Sequence, residues 1–144
     1  MAQTRQEQPT STRVNRIGYV VAILINVAGL VVLHVWPGWD DIPVLTDDAR
    51  SVLGVVDTAL VVGILVNLVQ LIRNPGWPTA TGSLVTTVVG LIAMVRILQV
   101  FPFDLSSGWA TVARVVLVVG IVGAVLGLLA LVVSLVRMRQ VEGR

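Results

Sequence analysis

Four long apolar blocks separated by short polar breaks dominate the chain. An α-helix rises ~1.5 Å per residue, so about 20 consecutive apolar residues cross a ~30 Å hydrocarbon layer. Residues 17–36 form the first block, which contains no charge, and residues 52–72 form the second, interrupted by Asp57. Residues 80–101 form the third, with Arg96 inside it, and residues 109–136 the fourth, with Arg114 near its start. The runs are continuously apolar, whereas lipid-facing barrel strands alternate. The pattern predicts an all-α fold, a four-transmembrane-helix antiparallel bundle occupying residues 16–137. Residues 1–15 are expected to be a disordered basic tail and residues 138–144 a short basic tail.

The breaks suit this reading. Trp36-Pro37-Gly38-Trp39 stops the first helix, because proline cannot continue it and glycine supplies the turn. Thr46-Asp47-Asp48 offers capping oxygens and first-turn carboxylates ahead of the second. Asn74-Pro75-Gly76-Trp77-Pro78 separates the second and third blocks, and Phe101-Pro102-Phe103-Asp104 with Ser106-Ser107-Gly108 separates the third and fourth. Connections this short favour antiparallel packing of sequence neighbours.

Charge then orients the helices. All 10 basic residues are arginines. Arg5, Arg13, Arg16, Arg73, Arg137, Arg139 and Arg144 fall on one side of the expected membrane. The other side holds Asp40, Asp41, Asp47, Asp48 and Asp104 against Arg50 alone. The positive-inside rule places the arginine-rich side, and with it both termini, in the cytoplasm of a cell (plasma) membrane. The aromatics all lie near predicted span ends, as interfacial rings do: Tyr19 and Trp77 inside, Trp36, Trp39, Phe101, Phe103 and Trp109 outside.

Composition narrows function mainly by exclusion. The chain has 144 residues, 56% hydrophobic and 12% charged, too little charge to cover a soluble domain. Cysteine is absent and His34 is the single histidine. Disulfides, thiolate chemistry, thiolate metal sites and multi-histidine centres within one chain are thereby excluded, and no cofactor or metal is expected. A net charge of +2 is too small and scattered for nucleic-acid binding.

The remaining chemistry is the polar residues inside the spans. A charge at the bilayer centre costs ~2.5–3.5 kcal/mol even on insertion scales, so each invites a functional explanation. At helical rise Asp57, Arg96 and Arg114 each lie roughly 8 Å below the outer end of their span. Gln99, His34 and Asp104 belong to the same layer. An ion pair of Asp57 with Arg96 or Arg114 is expected, because opposite charges reduce each other's desolvation cost, with Asp104 as second partner. The leading reading of this cluster is structural, fixing helix register. A site for an ion, proton or ligand comes second, and separate residues snorkelling to the headgroups third. Deeper in, Asn26, Asn67 and Gln70 are expected to make interhelical hydrogen bonds.

Small residues mark close-packing faces. Gly120, Gly123 and Gly127 line span four, Gly123 and Gly127 forming a GxxxG, and Ala59 with Gly63 gives span two a small-xxx-small pair. Such faces serve packing within the chain or a homo-oligomer interface.

Known four-span families differ from this chain at their defining residues. Small multidrug exporters carry a glutamate in their first helix, which is missing here. Voltage sensors repeat arginine every third position in the fourth helix, where Arg114 stands alone. Claudin-like proteins pair a tryptophan-rich outer loop with two cysteines. The stretches Val35-Trp36-Pro37-Gly38-Trp39, Ile42-Pro43-Val44-Leu45-Thr46 and Val100-Phe101-Pro102-Phe103-Asp104 resemble those of small bacterial four-helix integral membrane proteins of unknown activity. That resemblance covers residues 16 to 137. It implies the fold and a bacterial origin, and carries no activity.

The function expected is a non-enzymatic multi-pass membrane protein, structural or accessory, whose partners are the lipid bilayer and itself or another membrane protein. One alternative is a small channel or transporter subunit using the charged layer. A lipid-headgroup-binding or lipid-modifying protein is the other.

Overall fold

In a computed structural model, which describes residues 8–73 and 78–142, the chain is helical nearly throughout. The order is α1 (Gln8–His34), short 3-10 turns at Trp39–Asp41 and Asp47–Ala49, α2 (Arg50–Ile72), α3 (Pro78–Val100) and α4 (Ser107–Glu142). The break at residues 74–77, with Trp77 as an inner aromatic, lies outside the described residues, as do the outermost parts of both tails. All four helices contain windows long and apolar enough to cross a membrane: Arg16–His34, Asp47–Ile72, Thr81–Val100 and Ser107–Arg137. A helix suits that setting because it pairs its backbone groups internally where water cannot.

Two boundaries move outward by more than a turn from those expected. α1 begins at Gln8, inside the stretch read as a disordered tail. α4 runs on to Glu142, past the end of its apolar block. Once a long apolar run has nucleated a helix, each further residue adds a hydrogen bond at little cost, so polar flanks join it.

The helices form a row. α1 packs on α2, α2 on α3, and α3 on α4, and no non-adjacent pair makes a comparable contact among the described residues. Little is therefore enclosed: among the described residues the buried apolar side chains are Ala49, Val52, Ala93 and Pro102. Lipid tails are as apolar as leucine, so such helices associate by close fit rather than by the exclusion of water. Gly63 and Gly82 show that fit. A Cβ at Gly63 would fall 2.8 Å from Asn26 Oδ1 on α1, and one at Gly82 2.7 Å from Gln70 Nε2 and Val66 Cγ1 on α2.

One end of the row is tied together by its loops. The Thr46 N–H donates to the Pro102 carbonyl (3.0 Å) and the Asp104 N–H to the Val44 carbonyl (2.9 Å). Leu45 and Phe103 form an isolated antiparallel bridge between these bonds. Phe101 takes φ 44°, a left-handed conformation that costs a non-glycine residue about 1–2 kcal/mol. The Phe103 N–H, donating to the Phe101 carbonyl at 2.8 Å, and edge-on packing of the two rings hold it there. Gly38, at φ 94°, makes the other sharp turn without a Cβ penalty. Thr46 does not cap α2 as expected. Its hydroxyl is buried and unpartnered, while the Ser51 hydroxyl donates to the Asp48 carbonyl.

Candidate functional site

The charged residues of the spans gather at this loop-tied end, each within about two helical turns of its helix terminus. Their lateral pairing differs from the one expected. His34, the last residue of α1, donates from Nε2 to Asp57 Oδ1 on α2 across 2.9 Å. Neither arginine forms an ion pair with Asp57. The row accounts for Arg114, whose helix is two places from α2, while Arg96 is on the adjacent α3 but at an exposed position of it.

Each arginine has a different setting. The Arg114 guanidinium carbon sits 4.4 Å from the centroid of the Phe101 ring. A cation over an aromatic face is attracted by its quadrupole and keeps its charge off bare hydrocarbon. Arg50 does the same over Trp39 at 5.5 Å. Arg96 is exposed and makes no ion pair or ring contact among the described residues. Gln99, one turn further along α3, is exposed with it. Asp104 is exposed in the loop and held through its backbone, and among the described residues it is not the second partner of an arginine.

The deeper amides also turn inward to their own helices. Asn26 Nδ2 donates to the Ala22 carbonyl and Asn67 Nδ2 to the Gly63 carbonyl, both at 2.6 Å. Intrahelical bonding of this kind satisfies an amide in an apolar setting without needing a neighbour. Gln70 is buried at the α2–α3 contact. Beside it lies a cavity of about 280 Å³ lined by Leu65, Val66, Val69, Thr81, Gly82 and Val85. No cue in the sequence pointed to this cavity, because it forms between two helices whose faces meet only in the folded chain.

The small-residue positions divide. Gly63 and Gly120 meet neighbours, the latter lying against Met94 of α3, and Ala59 is half-buried. Gly123 and Gly127 face open space.

Chemically, the His34–Asp57 hydrogen bond can tie α1 to α2. Among the described residues no three His, Cys, Asp or Glu side chains converge as a metal would require. Comparison of the chain with protein-family models, curated proteins and solved structures finds no match.

Proposed function

We propose that this chain is a non-enzymatic multi-pass membrane protein, structural or accessory, that associates with copies of itself or with another membrane protein through the free side of α4. Its helices cross alternately, the loop-tied end faces outward and both termini are cytoplasmic, in keeping with the seven arginines placed on the opposite side. The observation that carries the association is the state of α4. One face, including Ala113, Leu117, Gly120 and Ala124, rests on α3 and is half-buried. The rest, including Val116, Val119, Leu126 and Leu129, is exposed. Gly123 and Gly127 lie on that exposed side with no atom near enough to require a glycine. Small residues let membrane helices approach closely and gain dispersion contact, and within one chain these two glycines are not used that way.

Native mass spectrometry from lipid nanodiscs tests the reading. An oligomer or a stoichiometric complex is expected, with Gly127→Leu shifting it towards the single chain. A wild-type chain released strictly as a monomer, with no co-purifying protein, would overturn it.

A further inference from the structure

The exposed face of α3 has an order of chemistry that neither helix packing nor self-association explains. Val85, Val88, Ile92, Arg96 and Gln99 follow one another at spacings of three and four, so they form a single stripe. All five are exposed. The stripe starts at the α2–α3 cavity, which Val85 lines together with Leu65 and Val69. From Val85 to Arg96 is 11 residues, or ~16 Å at helical rise, close to half of a ~30 Å hydrocarbon core. An apolar track one leaflet long therefore ends at a guanidinium and an amide. Beyond them the charge changes sign, because Asp104 follows in the loop and the adjoining loop holds Asp40, Asp41, Asp47 and Asp48, all exposed.

We propose that this stripe seats one zwitterionic glycerophospholipid of the leaflet at the loop-tied end. Its acyl chains lie along Val85, Val88 and Ile92 and reach the cavity. Its phosphodiester accepts hydrogen bonds from Arg96 and Gln99, and its headgroup ammonium points to the carboxylates above. The layering matches such a lipid from tail to headgroup: apolar, then cationic protein against phosphate, then anionic protein against ammonium. An arginine near a helix end reaches the phosphate level by extending its stem, and its planar donor fork suits two phosphate oxygens. A net-anionic headgroup would meet the same guanidinium but also the loop aspartates, which repel it. The inference rests on the membrane embedding of α3. It is independent of which way the chain faces and of whether α4 self-associates.

The test is native mass spectrometry of the full chain released from nanodiscs of equal parts phosphatidylethanolamine and phosphatidylglycerol. One retained phospholipid per chain is expected, with phosphatidylethanolamine enriched by about threefold, as a weak surface charge contact allows. Arg96→Gln should lower retention by about tenfold, as a neutral amide replaces a charged two-donor contact. Gln99→Ala should lower it less, and Asp104→Asn should keep the lipid but reduce the headgroup preference. Circular dichroism confirms that each variant remains helical. Retention unchanged in both Arg96→Gln and Gln99→Ala would overturn the site. Enrichment of phosphatidylglycerol would overturn the headgroup assignment, and displacement by excess inorganic phosphate would show a free-anion site instead of a lipid seat.

Discussion

His34 and Asp57 make a side-chain hydrogen bond between α1 and α2, and its value follows from where it lies. The side chains are 46% and 30% exposed, with Nε2 and Oδ1 2.9 Å apart, so the pair is neither in bulk water nor sealed in hydrocarbon. A contact screened to that degree contributes roughly 0.2–1 kcal/mol. A double-mutant cycle of His34→Ala and Asp57→Ala, read by reversible unfolding in mixed micelles, should return a coupling in that range. Coupling indistinguishable from zero would show that the two residues merely adjoin. Asp57→Asn should cost less than Asp57→Ala, because an amide oxygen still accepts from Nε2. Depth alone favours a pairing of Asp57 with Arg96 or Arg114, since linear position along a helix sets height in the membrane. Depth does not say which helix is adjacent or where on its circumference a side chain emerges. Arg96 illustrates this: Ala93, one turn earlier, is buried, yet Arg96 itself is exposed.

At the scale of helices, the contacts between neighbours depend on particular small residues. α1 meets α2 where Asn26 lies over Gly63, with an added Cβ only 2.8 Å from the amide oxygen. Gly63→Val should therefore separate the helices or displace Asn26 and destabilise the fold by about 1–3 kcal/mol, the usual cost of overpacking. Gly127→Val adds its methyls to open space and should leave the stability of the single chain within about 0.5 kcal/mol of wild type. Steric-trapping measurements on both variants check the contrast, and equal destabilisation would contradict the packing described. The helices themselves were fully legible in the sequence, because twenty apolar residues in lipid have few other ways to satisfy their backbone. Helix neighbours followed from short connections. Which glycines would be used was not legible: Gly63 and Gly123 each belong to a small-xxx-small motif, and only the row places a partner helix against the first. The interlocked loops were likewise hidden. Their bonds run from backbone to backbone through Val44, Thr46, Pro102 and Asp104, and a backbone bond leaves no residue-specific mark.

For the whole molecule the two ends differ in both structure and charge. At one end the 35–49 and 101–106 connections are joined by hydrogen bonds, with Pro102 fully buried between them. That end holds five aspartates outside the spans, whereas Arg16, Arg73 and Arg137 lie towards the far ends of α1, α2 and α4. Insertion leaves arginine-rich segments on the cytoplasmic side because moving them across opposes the membrane potential and the anionic inner leaflet. The aspartates contribute little to that bias, so the arginines alone should decide it. The chain lacks cysteine, so single reporters can be introduced without removing native thiols. Ser106→Cys lies in the joined loops and Gln140→Cys near the end of α4, both at exposed positions. With a membrane-impermeant maleimide on intact cells, Ser106→Cys should react at once and Gln140→Cys only after the membrane is opened. The reverse pattern would invert the orientation while leaving the row of helices and the lipid stripe unchanged. Replacing Arg13, Arg16 and Arg73 by Gln should then produce a mixed population, with both reporters partly labelled on intact cells. An unmixed pattern in that variant would mean that the remaining arginines after α4 suffice to orient the chain.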